Sequence, residues 1–172
     1  MQIVIEAERL KLAVFEETFV EDMKYFWGDS EVMSQCDGAT SHEKLPHIAK
    51  VYADCYRTHQ LSVFAVIEKE TNEVIGAAGF NITDSIEEIE LIYHFKKSAW
   101  GKGFASEASQ ACLELANNHP LVNRVCASAD PTNKASLKIL EKLGLVFKEM
   151  RFFDDVQQEE PYYEITINRN KP

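Results

Sequence analysis

The stretch Ser98 to Ala108, SAWGKGFASEA, constrains this chain more than any other. Two glycines flank one lysine, a strand-like run from Ile86 to Phe95 precedes them, and a helical pattern from Gly103 to Asn117 follows. In the run, Ile89, Leu91, Tyr93 and Phe95 share one face, and Glu88, Glu90, Ile92 and His94 share the other. In the helix, Phe104, Ala108, Ala111, Cys112 and Leu115 recur at helical spacing, and Pro120 enforces its end. Strand, glycine turn, helix is an arrangement that holds a phosphate. Glycines let the backbone approach an anion, and the first helical turn presents unpaired N–H groups at the positive end of its dipole. The stretch reads as a pyrophosphate cradle, with Lys96, Lys97 and Lys102 around it. An ordinary glycine loop shares the local pattern, so the rest of the chain must decide.

Ile3–Ile5 and Leu10–Phe15 read together as a first strand, and Glu16–Trp27 as a helix with Phe19, Met23, Phe26 and Trp27 on its core face. A second helix is expected from about Glu43 to His59, capped by Ser41, with Pro46 in its first turn. Its buried stripe is Ile48, Val51, Tyr52, Cys55 and Tyr56. Leu61–Glu68 and Val74–Phe80, joined by a polar turn, form a hairpin that Ile86–Phe95 extends into an antiparallel meander. Val122–Ala129 is a strand. Asp130 and Pro131 then read as cap and first residue of a helix that Gly144 ends. Leu145–Phe153 and Pro161–Asn168 are the last strands, joined by the polar run Asp154–Glu160. The order β-α-α-β-β-β-α-β-α-β-β is an α+β pattern in one domain, a size that 172 residues suit.

A net charge of −10 argues against non-specific nucleic-acid binding, which needs basic patches. It fits a cationic or neutral partner, or simply an acidic surface. The four cysteines, Cys36, Cys55, Cys112 and Cys126, form no CxxC pair and no zinc-type cluster with histidine. Buried reduced thiols and no metal site are expected. MQIVIEAERL does not resemble a signal peptide, and no run approaches the ~20 apolar residues of a membrane span. These features point to a soluble cytoplasmic protein.

Two blocks carry a family resemblance. Trp100-Gly101-Lys102-Gly103-Phe104-Ala105 resembles the (Gln/Arg)-x-x-Gly-x-(Gly/Ala) acetyl-CoA signature of the GNAT superfamily of N-acetyltransferases, with Trp100 departing from Gln/Arg. Asp130-Pro131-Thr132-Asn133-Lys134-Ala135-Ser136, followed by Leu140-Glu141-Lys142-Leu143-Gly144-Leu145, resembles the N-x-x-S…EKLGF helix of its ribosomal-protein alanine acetyltransferase branch, the Rim type. Glu8–Leu12 is similar to that branch's opening strand, with Ala13 at its usual arginine, and Asp29–Met33 to its loop between the first helices. The resemblance implies a single N-acetyltransferase domain over residues 1–172, with a mixed, mostly antiparallel sheet flanked by helices. It implies acetyl transfer from acetyl-CoA, as co-substrate and without a metal, to a primary amine of a protein N-terminus or small molecule. Direct attack in a ternary complex follows from it, by a monomer or homodimer that uses neither DNA nor membrane. The alternative is a CoA-binding module without catalysis.

The resemblance also assigns roles. Tyr93, His94, Phe95, Trp100, Gly101, Lys102, Gly103, Phe104, Ala105, Ser106, Asn133 and Ser136 are the cofactor-binding candidates. Glu90, on the strand before the cradle, is the candidate base, because burial can raise a glutamate toward neutrality; Glu88 shares its face as reserve. The oxyanion is expected on backbone N–H groups near Tyr93, His94 and Phe95, where the family's strand is splayed by a bulge. His94 is a further acid or base candidate. Many relatives carry a tyrosine at Leu140 to protonate the thiolate; here Ser136 or water is left for that role. The acceptor site falls on the first two helices, their loop and the closing hairpin. Glu31, Asp37, Asp154, Asp155, Glu159 and Glu160 stand there among Phe152, Phe153, Tyr162 and Tyr163.

Overall fold

The computed structural model describes residues 1–167. Its strands are β1 (Ile3–Glu6), β2 (Leu10–Ala13), β3 (Val63–Glu68), β4 (Val74–Ser85), β5 (Glu88–Phe95), β6 (Arg124–Ser128), β7 (Val146–Phe153) and β8 (Gln158–Thr166). The helices are α1 (Val20–Met23), α2 (Leu45–His59), α3 (Phe104–Asn118) and α4 (Lys134–Lys142). All eight strands join one sheet in the order β1-β2-β3-β4-β5-β6-β8-β7. The β5–β6 pair is parallel and the other pairs are antiparallel. The α+β class and mixed, mostly antiparallel sheet expected from the sequence are those observed.

Alternation along the strands builds two cores. On β3, Phe64 and Val66 enter the apolar cluster that holds Phe104, Ala108 and Cys112 of α3. Val63, Ala65 and Ile67 point the other way, to Phe19, Met23 and Trp27 and to Leu45 and Ala49 of α2. On β5, Ile89, Leu91 and Phe95 belong to the α3 side, and Ile92 packs on the α1–α2 side. Glu90 and His94, in step with Ile92, therefore face the α1–α2 side.

Several local expectations are corrected. The first strand is a hairpin of two, turned by Glu8 and Arg9, with Ile5 opposite Leu12. The helix expected over Glu16–Trp27 is a 3-10 turn, Glu17–Phe19, and one α-turn. After Met23 the chain continues in turns, with Gly28 N–H reaching back to the Met23 carbonyl, and this series buries the consecutive residues Phe26 and Trp27. On α2, Val51 is exposed, Leu45 and Ala49 are fully buried, and Ser41 makes no side-chain cap. The helix expected at Pro131 starts three residues later: Asp130 caps a turn through Thr132 N–H, and Asn133 caps α4 through Ser136 N–H. Gly144, at φ +94°, ends α4 as expected. β8 begins at Gln158, ahead of Pro161, and the expected strand end at Asn168 lies outside the described residues. Of the four thiols only Cys112 is buried; Cys36 is exposed.

Candidate active site

The central cleft lies where β5 and β6 part. Their register is Glu88 with Arg124, Ile89 with Val125 and Glu90 with Cys126, and it stops there. Toward β4 the pairing runs unbroken from Asn81–Glu90 to Gly76–Phe95. The implied bulge at Tyr93–Phe95 is therefore absent. The irregularity in this pair falls between Asn81 and Ser85, and the splay lies on the other edge, where β6 leaves β5 after Cys126 while its pairing with β8 continues to Ser128. Lys96 N–H bonds the Ile75 carbonyl on the β4 side, and the Phe95 carbonyl accepts from Trp100 Nε1 at 2.9 Å on the open side. Alternation then turns the N–H groups of Tyr93 and Phe95 into the opening, while that of Leu91 still faces the paired end of β6. The amide of His94 points to β4, so the expected oxyanion donors are reduced to its two neighbours.

The cleft encloses about 840 Å³. One end is lined by the cradle residues Trp100, Gly101 and Gly103 to Ser106, and by Asn133, Ser136 and Leu140 at the cap and along α4. Gly101 and Gly103 adopt φ of +74° and +81°, and a Cβ at Gly101 would stand in open space. Both carry the backbone across a bend that other residues resist and leave its amides uncovered, which fits a bound pyrophosphate. Trp100, in place of Gln/Arg, ties the cradle to β5 through its indole. Arg9 braces the cradle from behind. Its Nη1 donates to the Lys102 carbonyl at 2.9 Å, its Nε pairs with Glu107 at 2.7 Å, and its guanidinium lies over Phe104. Lys102 contributes this carbonyl and does not line the cleft. Lys96 and Lys97 are paired with Glu73 and Glu31.

The other end holds Glu90. Asn81 Nδ2 donates to Glu90 Oε1 at 3.2 Å, and Asn81 Oδ1 accepts from Tyr52 at 3.3 Å, which fixes the amide's orientation. Desolvation raises the Glu90 carboxyl above its ordinary range, the Asn81 bond opposes this, and Asp155 and Glu160 add to the rise. Glu88, by contrast, is exposed, paired with Arg124 and outside the cleft. His94 also faces this end, with Trp27 Nε1 at 3.1 Å from Nδ1 and Cys36 Sγ at 3.5 Å from Nε2. Desolvation lowers its pKa to about 4.

Ser136 meets Tyr93 across the cleft. Tyr93 Oη lies 2.7 Å from Ser136 Oγ, and desolvation pushes the phenol up to about 12. Asn133 reaches the cleft, but its side-chain oxygen is spent on the α4 cap. Of the expected acceptor-site groups, Glu31, Asp37, Phe153, Asp155 and Glu160 line the cleft. Asp154, Glu159 and Phe152 do not; Tyr162 lies under Arg151, and Tyr163 packs in the core beside Phe147. Sequence reasoning missed Asn81, Cys36 and the pairings of Trp27 and Tyr93. Only Trp27 carried a signal, because a buried indole N–H needs an acceptor. Among the described residues no group of three or more His, Cys, Asp or Glu is disposed to hold a metal ion. No described helix is long and apolar enough to cross a membrane.

A parallel pair that parts at a carboxylate, with a glycine cradle at the head of the following helix, is the frame of an acyl-CoA-dependent acyltransferase. The chain belongs to the acetyltransferase (GNAT) family, whose domain description matches residues 9–146. It is 33% identical to an N-acetyltransferase, p20, from Bacillus licheniformis over 140 residues, 80% of this chain and 79% of that protein. The structure superposes on a GNAT-family acetyltransferase from Bacillus anthracis with TM-score 0.82 and 26% identity, covering 96% of this chain and 98% of that one. It shares its fold with RimL, a ribosomal α-N-protein acetyltransferase solved with coenzyme A. There the TM-score is 0.78 at 14% identity, over 98% and 100% of the two chains. The chain is an acetyltransferase by family, and what it shares with RimL is the fold.

Proposed function

We propose that the chain, as one domain over residues 1–172, transfers acetyl from acetyl-CoA to a primary amine by direct attack in a ternary complex. The observation that carries this reading is the splay of β5 from β6 immediately past Glu90, which puts free amides beside a carboxylate of raised pKa. The pyrophosphate would lie against the amides of Gly101–Ala105 and the pantetheine along the opening toward α4. The thioester oxygen would accept from the amides of Tyr93 and Phe95. Glu90, directly or through a water, takes a proton from the acceptor's ammonium or from the attacking nitrogen. The thiolate leaves toward Ser136, whose hydroxyl is held by Tyr93. With a thiol pKa of about 8.5, it is a tolerable leaving group near neutrality.

The acceptor enters from the end formed by the Asp29–Ala39 loop and the β7–β8 hairpin. Asp37, Asp155 and Glu160 there favour a cationic amine, Glu31 being paired with Lys97. RimL acts on a ribosomal protein N-terminus, and an N-terminal peptide or a small amine is the acceptor class proposed here. The cytoplasm is the proposed location. The test is to mix the protein with acetyl-CoA and a panel of peptide and small amines and follow free thiol. Thiol released only when an amine is present is the expected result. Acetyl-CoA binding without thiol release for any amine would overturn the reading in favour of a non-catalytic binder.

A further inference from the structure

Trp27 and His94 form a pair whose geometry adds to the transfer chemistry, and its meaning rests on that reading of the cleft. Trp27 is 5% exposed, packed among Phe15, Phe26 and Tyr52. Its Nε1 lies 3.1 Å from His94 Nδ1. An indole N–H donates and never accepts. Nδ1 therefore carries the ring's lone pair, and the proton sits on Nε2. That N–H faces the cleft, where its partner is Cys36 Sγ at 3.5 Å, a weak acceptor. The ring stays neutral near physiological pH because desolvation opposes its protonation. His94 is thus no base, since its one lone pair is taken, and no cation. It is a neutral N–H donor on the same sheet face as Glu90.

Such a donor is matched only by an acceptor atom. An ammonium would meet it proton to proton, and an amine that accepted from it would lose the lone pair needed for attack. The substrate group that fits is a carbonyl oxygen, replacing the Cys36 sulfur. We infer that His94 Nε2–H donates to a substrate carbonyl oxygen, and that Trp27 is the positioning residue that sets the tautomer for it. Two oxygens have this chemistry: that of the thioester, and that of an α-amino amide acceptor such as a peptide N-terminus.

The test begins with nitrogen-15 NMR of the histidine rings in the full-length protein, assigned with His94→Gln. The expected spectrum at neutral pH shows His94 Nδ1 as a bare nitrogen and Nε2 as N–H. A protonated Nδ1 overturns the inference. Activity is then compared for an α-amino amide and a simple alkylamine. Trp27→Phe should lower kcat/KM by about tenfold or more, the worth of a misdirected buried donor, while the Kd for acetyl-CoA holds. His94→Gln keeps an N–H near the Nε2 position and has no tautomer to set. It should retain much of the activity, and adding Trp27→Phe to it should cost nothing more. A loss in kcat with both acceptors assigns the oxygen to the thioester; a loss in KM for the α-amino amide alone assigns it to the acceptor. Fully additive losses in the double variant would overturn the inference. If Trp27→Phe does not fold, the wild-type spectrum still decides. Absence of thiol release from the wild type with every amine would refute the transferase reading itself, separately from the tautomer.

Discussion

Gly103→Val separates the stability of the cradle from its use. Gly103 sits at φ +81°, in the left-handed region, and a Cβ there would meet Arg9 Nη2 at 3.4 Å. Non-glycine residues in that region cost roughly 1–2 kcal/mol, with a branched side chain at the upper end. For a domain of this size, 1 kcal/mol corresponds to about 2–4 °C in Tm. The unliganded variant should thus melt roughly 2–8 °C below the wild type. Acetyl-CoA at about a hundred times its Kd stabilises the wild type by ~2.7 kcal/mol, or about 5–11 °C. In the variant this ligand-dependent rise should vanish, because a branched residue resists the left-handed conformation that presents the cradle's amides, and its Cβ crowds the Arg9 brace behind them. The assay is thermal unfolding with and without acetyl-CoA, with circular dichroism to establish that the variant is folded. A folded Gly103→Val protein with an undiminished rise would refute the placement of the cradle.

Glu90→Gln keeps the Asn81 contact and removes the base; transfer should slow by about 10²–10⁴-fold with the Kd for acetyl-CoA unchanged, in stopped-flow and equilibrium measurements. The sign with pH also follows. The native Glu90 pKa lies above its unfolded value, so the folded state holds that proton more tightly. Stability from this group is present below the unfolded pKa and is lost as pH rises through the folded one, while the basic, active form appears over the same rise. Glu90→Gln should therefore unfold at a higher temperature than the wild type at neutral pH, and lose that advantage in acid. Arg9→Ala should weaken acetyl-CoA binding by about two- to tenfold through the freed Lys102 carbonyl and Glu107, measured by calorimetry. Asp37→Lys with Asp155→Lys should raise KM for a cationic acceptor, leave KM for acetyl-CoA alone, and matter less at high salt, where screening shortens to below ~8 Å.

Patterns repeated along one element were legible in the sequence, and pairings across elements were not. The alternation Ile89, Leu91, Tyr93, Phe95 marks β5 because each step answers to the same core, and Gly101 and Gly103 mark the cradle because few other residues hold those φ values. The sequence places the start of α4 three residues early because Asp130-Pro131-Thr132-Asn133 offers two Asx caps in a row. The first satisfies a turn and the second the helix. The helical spacing of Phe19, Met23, Phe26 and Trp27 suggested an amphipathic helix, yet the same residues are buried by a chain of turns once Gly28 closes back on Met23. Glu90 was found by its place on β5. Its partner Asn81 depends on the β4–β5 register, and His94 meets Trp27 across 67 residues, which no local pattern encodes.

The most direct test of the central claim is the path of the acetyl group. Cys36 lies in the same cleft as Glu90, and its thiol is held above its ordinary pKa by desolvation and then by Glu160, Asp155 and the other acids nearby. A thiol kept protonated is a poor nucleophile, which favours direct transfer over an acetyl-enzyme. Initial rates with acetyl-CoA and an amine varied together should give intersecting reciprocal plots, and intact-mass spectra of the protein with acetyl-CoA alone should show no added acetyl group. Parallel plots, with acetyl retained on the protein and lost in Cys36→Ala, would contradict direct attack in a ternary complex.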